Sequence, residues 1–334
     1  MIGARKLPRS AATGAGAKRQ RGVAMMVAIL LVAFGTILAA AIAFKSAMAA
    51  RRSTATMAMD QSVLIAEAAE SLAAYALRED KKAGGQVDHP AEAWSQPPGP
   101  VEVVPGVILE AYVEDATGRF NLNSLVMTDP TGKDVVDLVA LEKLESLMEQ
   151  VGVERKWASL IADWIDPDTQ PLPDGAEDSA YAAQTPPYRA PNTFITTPSE
   201  LLALPEFGRE RYLRLLPYVT ALPRDALINV CSASGILLDA LIDSTQKSFG
   251  QDPKALAKSR EAGCFPTKQV YSQSFGGTGS GDWTKVAGRV SETSDYFRIT
   301  SIVTIGSAEF ALYSLLQRDP QNQVHVVMRS FTPD

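Results

Sequence analysis

The chain has 334 residues, 46% apolar and 21% charged, with 23 glycines, 21 prolines and a formal net charge of −6. That composition excludes collagen-like and disordered chains and suffices for one large domain or two ordinary ones. Six cations (Arg5, Lys6, Arg9, Lys18, Arg19 and Arg21) and no acid fall in residues 1–22, so the remaining 312 residues carry 26 basic against 38 acidic groups. An acidic body argues against a main role in gripping phosphate backbones, which needs a dense cationic face. Two cysteines and two histidines, His89 and His325, with no CxxC or HxxxH spacing, leave any metal chemistry to oxygen ligands.

Val23 to Phe44 is a run of 22 uncharged, mostly apolar residues. As a helix it spans roughly 33 Å, close to the hydrocarbon thickness of a bilayer. The cations precede it, which places the amino end in the cytoplasm and everything after Lys45 on the far side. Ala47-Met48-Ala49 offers the small-x-small pattern of a signal-peptide cut, but the apolar run is longer than such segments carry. Arg19-Gln20-Arg21-Gly22-Val23, a basic leader ending in glycine directly against the apolar run, resembles the processing site of type IV prepilins and pseudopilins. The resemblance implies cleavage after Gly22 by a prepilin peptidase, methylation of the new amine on Val23, and retention of the apolar run as the start of a long helix. The fifth mature position, glutamate in most of that family, is Val27 here. This departure resembles the type II secretion system protein K family of large minor pseudopilins. A plain single-pass anchor with an incidental glycine is the other reading of these residues.

No proline occurs between Val23 and His89, and residues 45–80 are rich in good helix formers, which predicts one helix from the apolar run to about Asp80. Val63, Ala66, Ala69 or Glu70, Ala73 and Leu77 form an apolar stripe at helical spacing. Lys81 to Pro100, with three glycines, four prolines and Trp94, reads as a loop. Gly106 to Gly118 alternates as a strand does, and the Gly118-Arg119-Phe120-Asn121-Leu122-Asn123-Ser124-Leu125 that follows matches the lead into the helical part of the K proteins. Helices are predicted at about 135–150, 154–165, 198–204, 208–217, 233–247 and 253–262, and three antiparallel strands at 295–306, 308–317 and 323–331.

The most specific stretch runs from Asp163 to Tyr181 (DWIDPDTQPLPDGAEDSAY). Its acids repel one another unless a cation intervenes, and Pro167, Pro171 and Pro173 stiffen the chain so that oxygens can converge. Many hard oxygen ligands favour calcium. Counted from Asp166, residues Asp168, Gln170, Asp174 and Glu177 take the third, fifth, ninth and twelfth places of an EF-hand frame, but its sixth place is Pro171 rather than glycine. The expectation is a calcium loop that is not an EF-hand, drawing on Asp166, Asp168, Gln170, Asp174, Glu177 and Asp178. The stretch, with Pro186-Pro187-Tyr188-Arg189-Ala190-Pro191-Asn192 after it, resembles the acidic segment of the K proteins, in which it binds calcium. A solvated acidic loop packed over Trp164 and Tyr181 is the alternative. A glycosidase-type carboxylate pair would need a sugar cleft that no pattern announces.

Thr197 to Gly208 followed by Arg209, Arg211 and Arg214 looks like a helix-hairpin-helix unit, some of which bind DNA. Glu206 and Glu210 beside the hairpin favour packing instead. Residues 227–241 resemble the start of a second unit. Gly276-Gly277-Thr278-Gly279-Ser280-Gly281 lacks the Lys-Ser/Thr of a phosphate loop and reads as a flexible connection. Cys231 and Cys264, both outside the cytoplasm on this topology, are a disulfide pair or two buried thiols.

Together these features predict an α+β protein. A leader (1–22) precedes a long helix (23–80) with its transmembrane segment at 23–44. The helix packs on an antiparallel sheet from 81–120 and 285–334, and a SAM-like or helix-hairpin-helix-like α-helical domain (121–284) is inserted between the strands. The family resemblance implies a non-enzymatic subunit anchored in the bacterial inner membrane with its globular part in the periplasm. Its implied partners are the I-type and J-type minor pseudopilins, prepilin peptidase and exported cargo, with no nucleic acid. A membrane-anchored, competence-type DNA-binding protein is the competing class.

Overall fold

The computed structural model describes residues 20–242 and 248–333. Most of the leader therefore lies outside the described residues, as does the end of the helix expected over 233–247. The chain divides into two units, Met1–Gln61 and Ser62–Asp334.

A single helix, α1 (Gln20–Lys82), covers the apolar run and the alanine-rich stretch behind it. In the first unit its side chains stand in the open: Leu31 is 68% and Phe34 73% exposed. A helix with every face apolar and no partner is suited to a hydrocarbon solvent. The helix is long and apolar enough to cross a membrane, with mean hydropathy 2.7 over its most apolar window.

In the second unit α1 becomes one-sided. Ala66, Ala69, Glu70, Ala73 and Leu77 are buried, together with Ser62, whereas Val63 is only half-buried. These side chains meet a five-stranded antiparallel sheet built from β1 (Val101–Val104), β2 (Val107–Asp115), β9 (Tyr296–Ile305), β10 (Ala308–Arg318) and β11 (Val324–Ser330), in that spatial order. Phe297, Ile299 and Val303, at even spacings on β9 and so on one face, pack against the helix with Leu312 and Leu316 of β10. Small residues on α1 let it lie close to the sheet, and the large side chains come from the strands. The loop before β1 adds Trp94, which is buried and set edge-on to Phe297 at 5.1 Å between ring centroids. Burying a side chain such as Leu77 contributes about 1.5–3 kcal/mol. Residue-for-residue pairing of β2 with β9, from Val107 opposite Ile305 to Asp115 opposite Phe297, means that the whole stretch between them leaves the sheet and returns.

That stretch forms its own core around Leu144, Leu147, Met148, Ile161, Ile165, Phe207, Leu237 and Leu238. Two short parallel pairs close it: β3 (Phe120–Asn121) with β6 (Val219–Thr220), and β7 (Ile228–Asn229) with β8 (Val290–Ser291). A small hairpin of β4 (Val126–Thr128) and β5 (Asp134–Val136) precedes α2 (Leu138–Gln150). Strand therefore replaces the first turn of the helix expected from 135, because Asp137 caps α2 by accepting from the amides of Val139 and Ala140. The expected 154–165 helix starts later, as α3 (Trp157–Ile165).

The remaining helices are α4 (Asp178–Ala182), α5 (Gly208–Leu215), α6 (Gly235–Ala240), α7 (Pro253–Arg260), α8 (Lys268–Gln273) and α9 (Gly281–Ala287). Pro198–Ala203 is a 3-10 turn, held by a capping box of Thr197 and Glu200. The glycine-rich connection is shorter than expected, since Ser280 accepts from the amide of Trp283 and starts α9 at Gly281. The elements absent from the sequence expectations (β1, β3 to β8, α4, α8 and α9) are all short.

Candidate functional site

The acidic loop sits between α3 and α4, and the core presents it. All nine residues of α3 are buried, so Asp163, at 0% exposure, is carried inside with its apolar neighbours. Its carboxylate takes backbone amides in place of solvent, accepting from Leu172 N at 3.1 and 3.2 Å. Gly175 is required by this approach, because a β-carbon there would stand 1.9 Å from Asp163 Oδ2. Asp163 is thus the post around which the loop is wound. Trp164 and Tyr181 pack edge-on beneath it at 5.1 Å.

Three carboxylates converge on this frame: one oxygen each of Asp166, Asp168 and Glu177 lies within 4.8 Å of the others. Asp166 is 2% and Glu177 7% exposed. Asp166 Oδ1, Glu177 Oε1 and Asn192 Oδ1 are sealed from solvent with no hydrogen-bond donor. Buried carboxylate oxygens without donors are costly unless a proton or a cation meets them. Burial raises the Asp163 carboxyl to about 7 and the Asp166 carboxyl to about 6, the latter helped by the charge of Asp168. Burial also raises Glu177, with Asp166 adding to it. Asn192 closes the group from the far side of the loop, donating Nδ2 to the Asp168 carbonyl at 2.5 Å.

The other expected ligands are placed differently. Gln170 is exposed, and its amide donates to Asp168 Oδ1 at 2.8 Å. Asp174, with φ of +64°, points to a separate shallow cleft beside Lys156 and Trp157. Asp178 is exposed, accepts from Ala190 N at 3.1 Å and lies 3.9 Å from Arg189. The converging set is therefore Asp166, Asp168 and Glu177. Asp163 and Asn192 have supporting roles that spacing along the chain does not reveal, since each acts through a contact made only after the loop folds back.

The remaining sites are structural in setting. Gly22 and Val23 lie near the start of α1, Val23 63% exposed. Cys231 and Cys264 are joined as a disulfide with Cα atoms 4.7 Å apart. Beside it the guanidinium of Arg260 binds the carbonyls of Val230, Ser232, Ala233 and Phe265. Two of the three cations of the hairpin unit are paired on the surface: Arg211 binds Glu154 at 2.7 and 2.8 Å and Arg214 binds Glu210 at 2.7 Å. That geometry gives the DNA-binding reading no support, because the charges of Arg211 and Arg214 are already matched within the protein.

Comparison with known proteins agrees with this architecture. Residues 118–224 match the family model described as "Type II secretion system (T2SS), protein K". A type II secretion system protein K from Pseudomonas aeruginosa is 34% identical over 324 residues, covering 93% of this chain and 92% of its own. Those of Pectobacterium carotovorum and Klebsiella pneumoniae are each 30% identical, covering 94% and 90% of this chain. The fold is similar to a solved chain of the GspK-GspI-GspJ complex from enterotoxigenic Escherichia coli, with a TM-score of 0.72 at 24% identity, covering 85% of this chain and all of that one. Identity at this level along nearly the full length, with a shared helix-on-sheet fold, shows that the chain belongs to the type II secretion system protein K family.

Proposed function

We propose that this chain is the large minor pseudopilin of a type II secretion system, anchored in the inner membrane by residues 23–44 with its globular part in the periplasm. It caps the tip of the pseudopilus with I-type and J-type minor pseudopilins. The full-length likeness to protein K carries this reading, and the solved complex of the structural relative with I and J supports the partners. Val27 lacks the carboxylate that would meet a neighbour's terminal amine in a shaft, which suits an end position. The bulky stretch inserted between β2 and β9, with its helix-hairpin-helix-like units, would cover the fibre end and block stacking above it. The role is assembly and contact with cargo, without turnover of a substrate.

Processing by prepilin peptidase at Gly22 is the step to test. A β-carbon at Gly22 meets nothing within 4 Å, so a larger residue there does not disturb the helix. Gly22→Glu in the native host is expected to leave the leader attached and to trap exported proteins in the periplasm. Normal export with the uncut form would sink the assignment.

Asp166, Asp168 and Glu177 fit a hard cation, and the observation that carries this is the set of donorless buried oxygens they share with Asn192. In this reading the loop binds calcium, which would supply the positive charge that three carboxylates in a 4.8 Å group need. The protein's own part is to hold those oxygens in place through Asp163, Gly175 and the Asn192 strap. Terbium, which replaces calcium and is excited through nearby indole, should luminesce in the full-length detergent-solubilised protein. The signal should fall in Asp166→Asn/Glu177→Gln and be displaced by calcium. Equal emission from parent and variant removes the loop as the site.

A further inference from the structure

A second group of carboxylates converges where α1 ends. One oxygen each of Asp80, Asp88 and Glu92 lies within 4.8 Å of the others. Asp88 is 1% exposed. Its Oδ2 accepts from Ser294 N at 2.8 Å and from Arg318 Nη2 at 2.5 Å, whereas its Oδ1 is sealed from solvent and has no donor. Asp80 Oδ2 is buried and donorless in the same way. Glu92 commits Oε2 to the Trp94 indole N–H at 2.7 Å and to the His89 amide at 3.0 Å, and its Oε1 stands 3.8 Å from His89 Nε2. The cationic groups that face the cluster are Arg318, Lys81 and His89. Arg318 is 4% exposed and ion-paired to Asp88. Among the described residues neither Asp80 nor Glu92 pairs with a lysine or arginine.

The charge balance follows from these contacts. With Arg318 matched to Asp88, Asp80 and Glu92 leave a surplus of carboxylate charge in a partly buried setting, offset among the described residues only by Lys81 and by His89, which lies 3.8 Å from Glu92. A protein resolves such a surplus with protons or with a cation. Asp80 also lies in the last turn of a 63-residue helix, where the negative end of the helix dipole favours positive charge. Two donorless buried oxygens, Asp80 Oδ2 and Asp88 Oδ1, beside this surplus suit one divalent ion. Three carboxylates drawn from an irregular turn suit the flexible shell of calcium better than the strict octahedron of magnesium.

We propose that Asp80, Asp88 and Glu92 form a second calcium site, separate from the acidic loop and independent of it. The ion ties the end of α1 to the turn that follows, residues 83–92. Through Asp88 it also ties that turn to the start of β9, by Ser294, and to the end of β10, by Arg318. Its place is therefore the joint between the long helix and the sheet.

The test counts calcium ions bound to the full-length chain in detergent by equilibrium dialysis after chelator stripping. Asp80→Asn/Glu92→Gln is expected to lower the count by one ion. Asp166→Asn/Glu177→Gln should lower it by one separately, and the four-fold variant by two. An unchanged count in the first variant overturns the second site, whatever the loop variant does. An unchanged count in the loop variant alone overturns the loop reading and leaves this one standing. Trp94→Phe keeps every carboxylate while removing the indole bonded to Glu92. If the first variant loses its near-ultraviolet dichroism, Trp94→Phe decides the matter: terbium emission must drop relative to the parent, and undiminished emission overturns the proposal.

Discussion

The helix-sheet seam and the acidic loop both bury carboxylates, and they resolve the charge in opposite ways. On the seam, Glu70 is 2% exposed, but Arg329 binds it with both prongs of its guanidinium at 2.7 to 3.1 Å, and the Ser314 hydroxyl donates to it as well. The charge is internal to the fold and needs nothing from solution. In the loop, Asp166 and Glu177 are as deeply set, yet Asp166 Oδ1 and Glu177 Oε1 face no donor. A region that carries its own counter-charge is complete when folded, whereas one that lacks it depends on a proton or an ion. The difference separates the part of the molecule that is scaffold from the part open to conditions.

The sharpest way to break the comparison is at the seam. Arg329→Ala should cost about 3–5 kcal/mol, because it strands Glu70 inside the protein. Glu70→Ala should cost less, since Arg329 is 46% exposed and water can take over its charge. Chemical denaturation of the full-length chain in detergent measures both. Equal losses would mean that Glu70 is not as isolated from solvent as its burial implies.

Next comes calcium at the loop. With the ion at about a hundredfold over its dissociation constant, linkage predicts about 2.7 kcal/mol of added stability. Chelation should lower the melting temperature accordingly, and Asp166→Asn/Glu177→Gln should abolish that share of the response. Gly175→Ala should also remove it, although it leaves Asp166, Asp168 and Glu177 in place, because a β-carbon there collides with the Asp163 carboxylate. A Gly175→Ala protein that still answers to calcium as the parent does would show that Asp163 does not set the loop.

The pH dependence in chelator has a definite sign. Asp163 and Asp166 hold folded-state values near 7 and 6, above the ordinary carboxylate range, so the folded chain binds more protons than the unfolded one. Their contribution is favourable below about pH 4 and is lost as pH rises through 6 to 7. The calcium-free protein should therefore lose stability between pH 5 and 8, and calcium should reverse the slope. A flat profile in chelator would place these carboxylates in contact with water. The smallest effect belongs to Arg211→Ala. Its pair with Glu154 is on the surface, so the change should cost under about 1 kcal/mol and should shrink further in high salt.

Much of the architecture was legible along the chain because its signals are local. The apolar run, the alanine-rich extension and the alternating strands near the end each declare themselves within a dozen residues, and they correspond to α1, β2, β9, β10 and β11. Short elements were not legible. Neither α8 nor α9 has a periodic pattern long enough to read, and β1 exists only as the edge partner of β2. The loop was readable as acidic and oxygen-rich, but the placement of its ligands was not. The spacing frame put Asp174 with the others and the acidic run put Asp178 with them, whereas the positive φ of Asp174 and the contact of Asp178 with Ala190 take them elsewhere.

Composition and periodicity alone were enough for the membrane-length helix, the strands towards the carboxyl end and an acidic, oxygen-rich loop, since each follows from which residue types neighbour one another. Folding in three dimensions decided which carboxylates lose their water, which of them receive an arginine, and which are left facing one another across a turn. Charge compensation is a property of distance and burial, and residues as far apart as Glu70 and Arg329, or Asp88 and Arg318, meet only when the sheet closes on the helix.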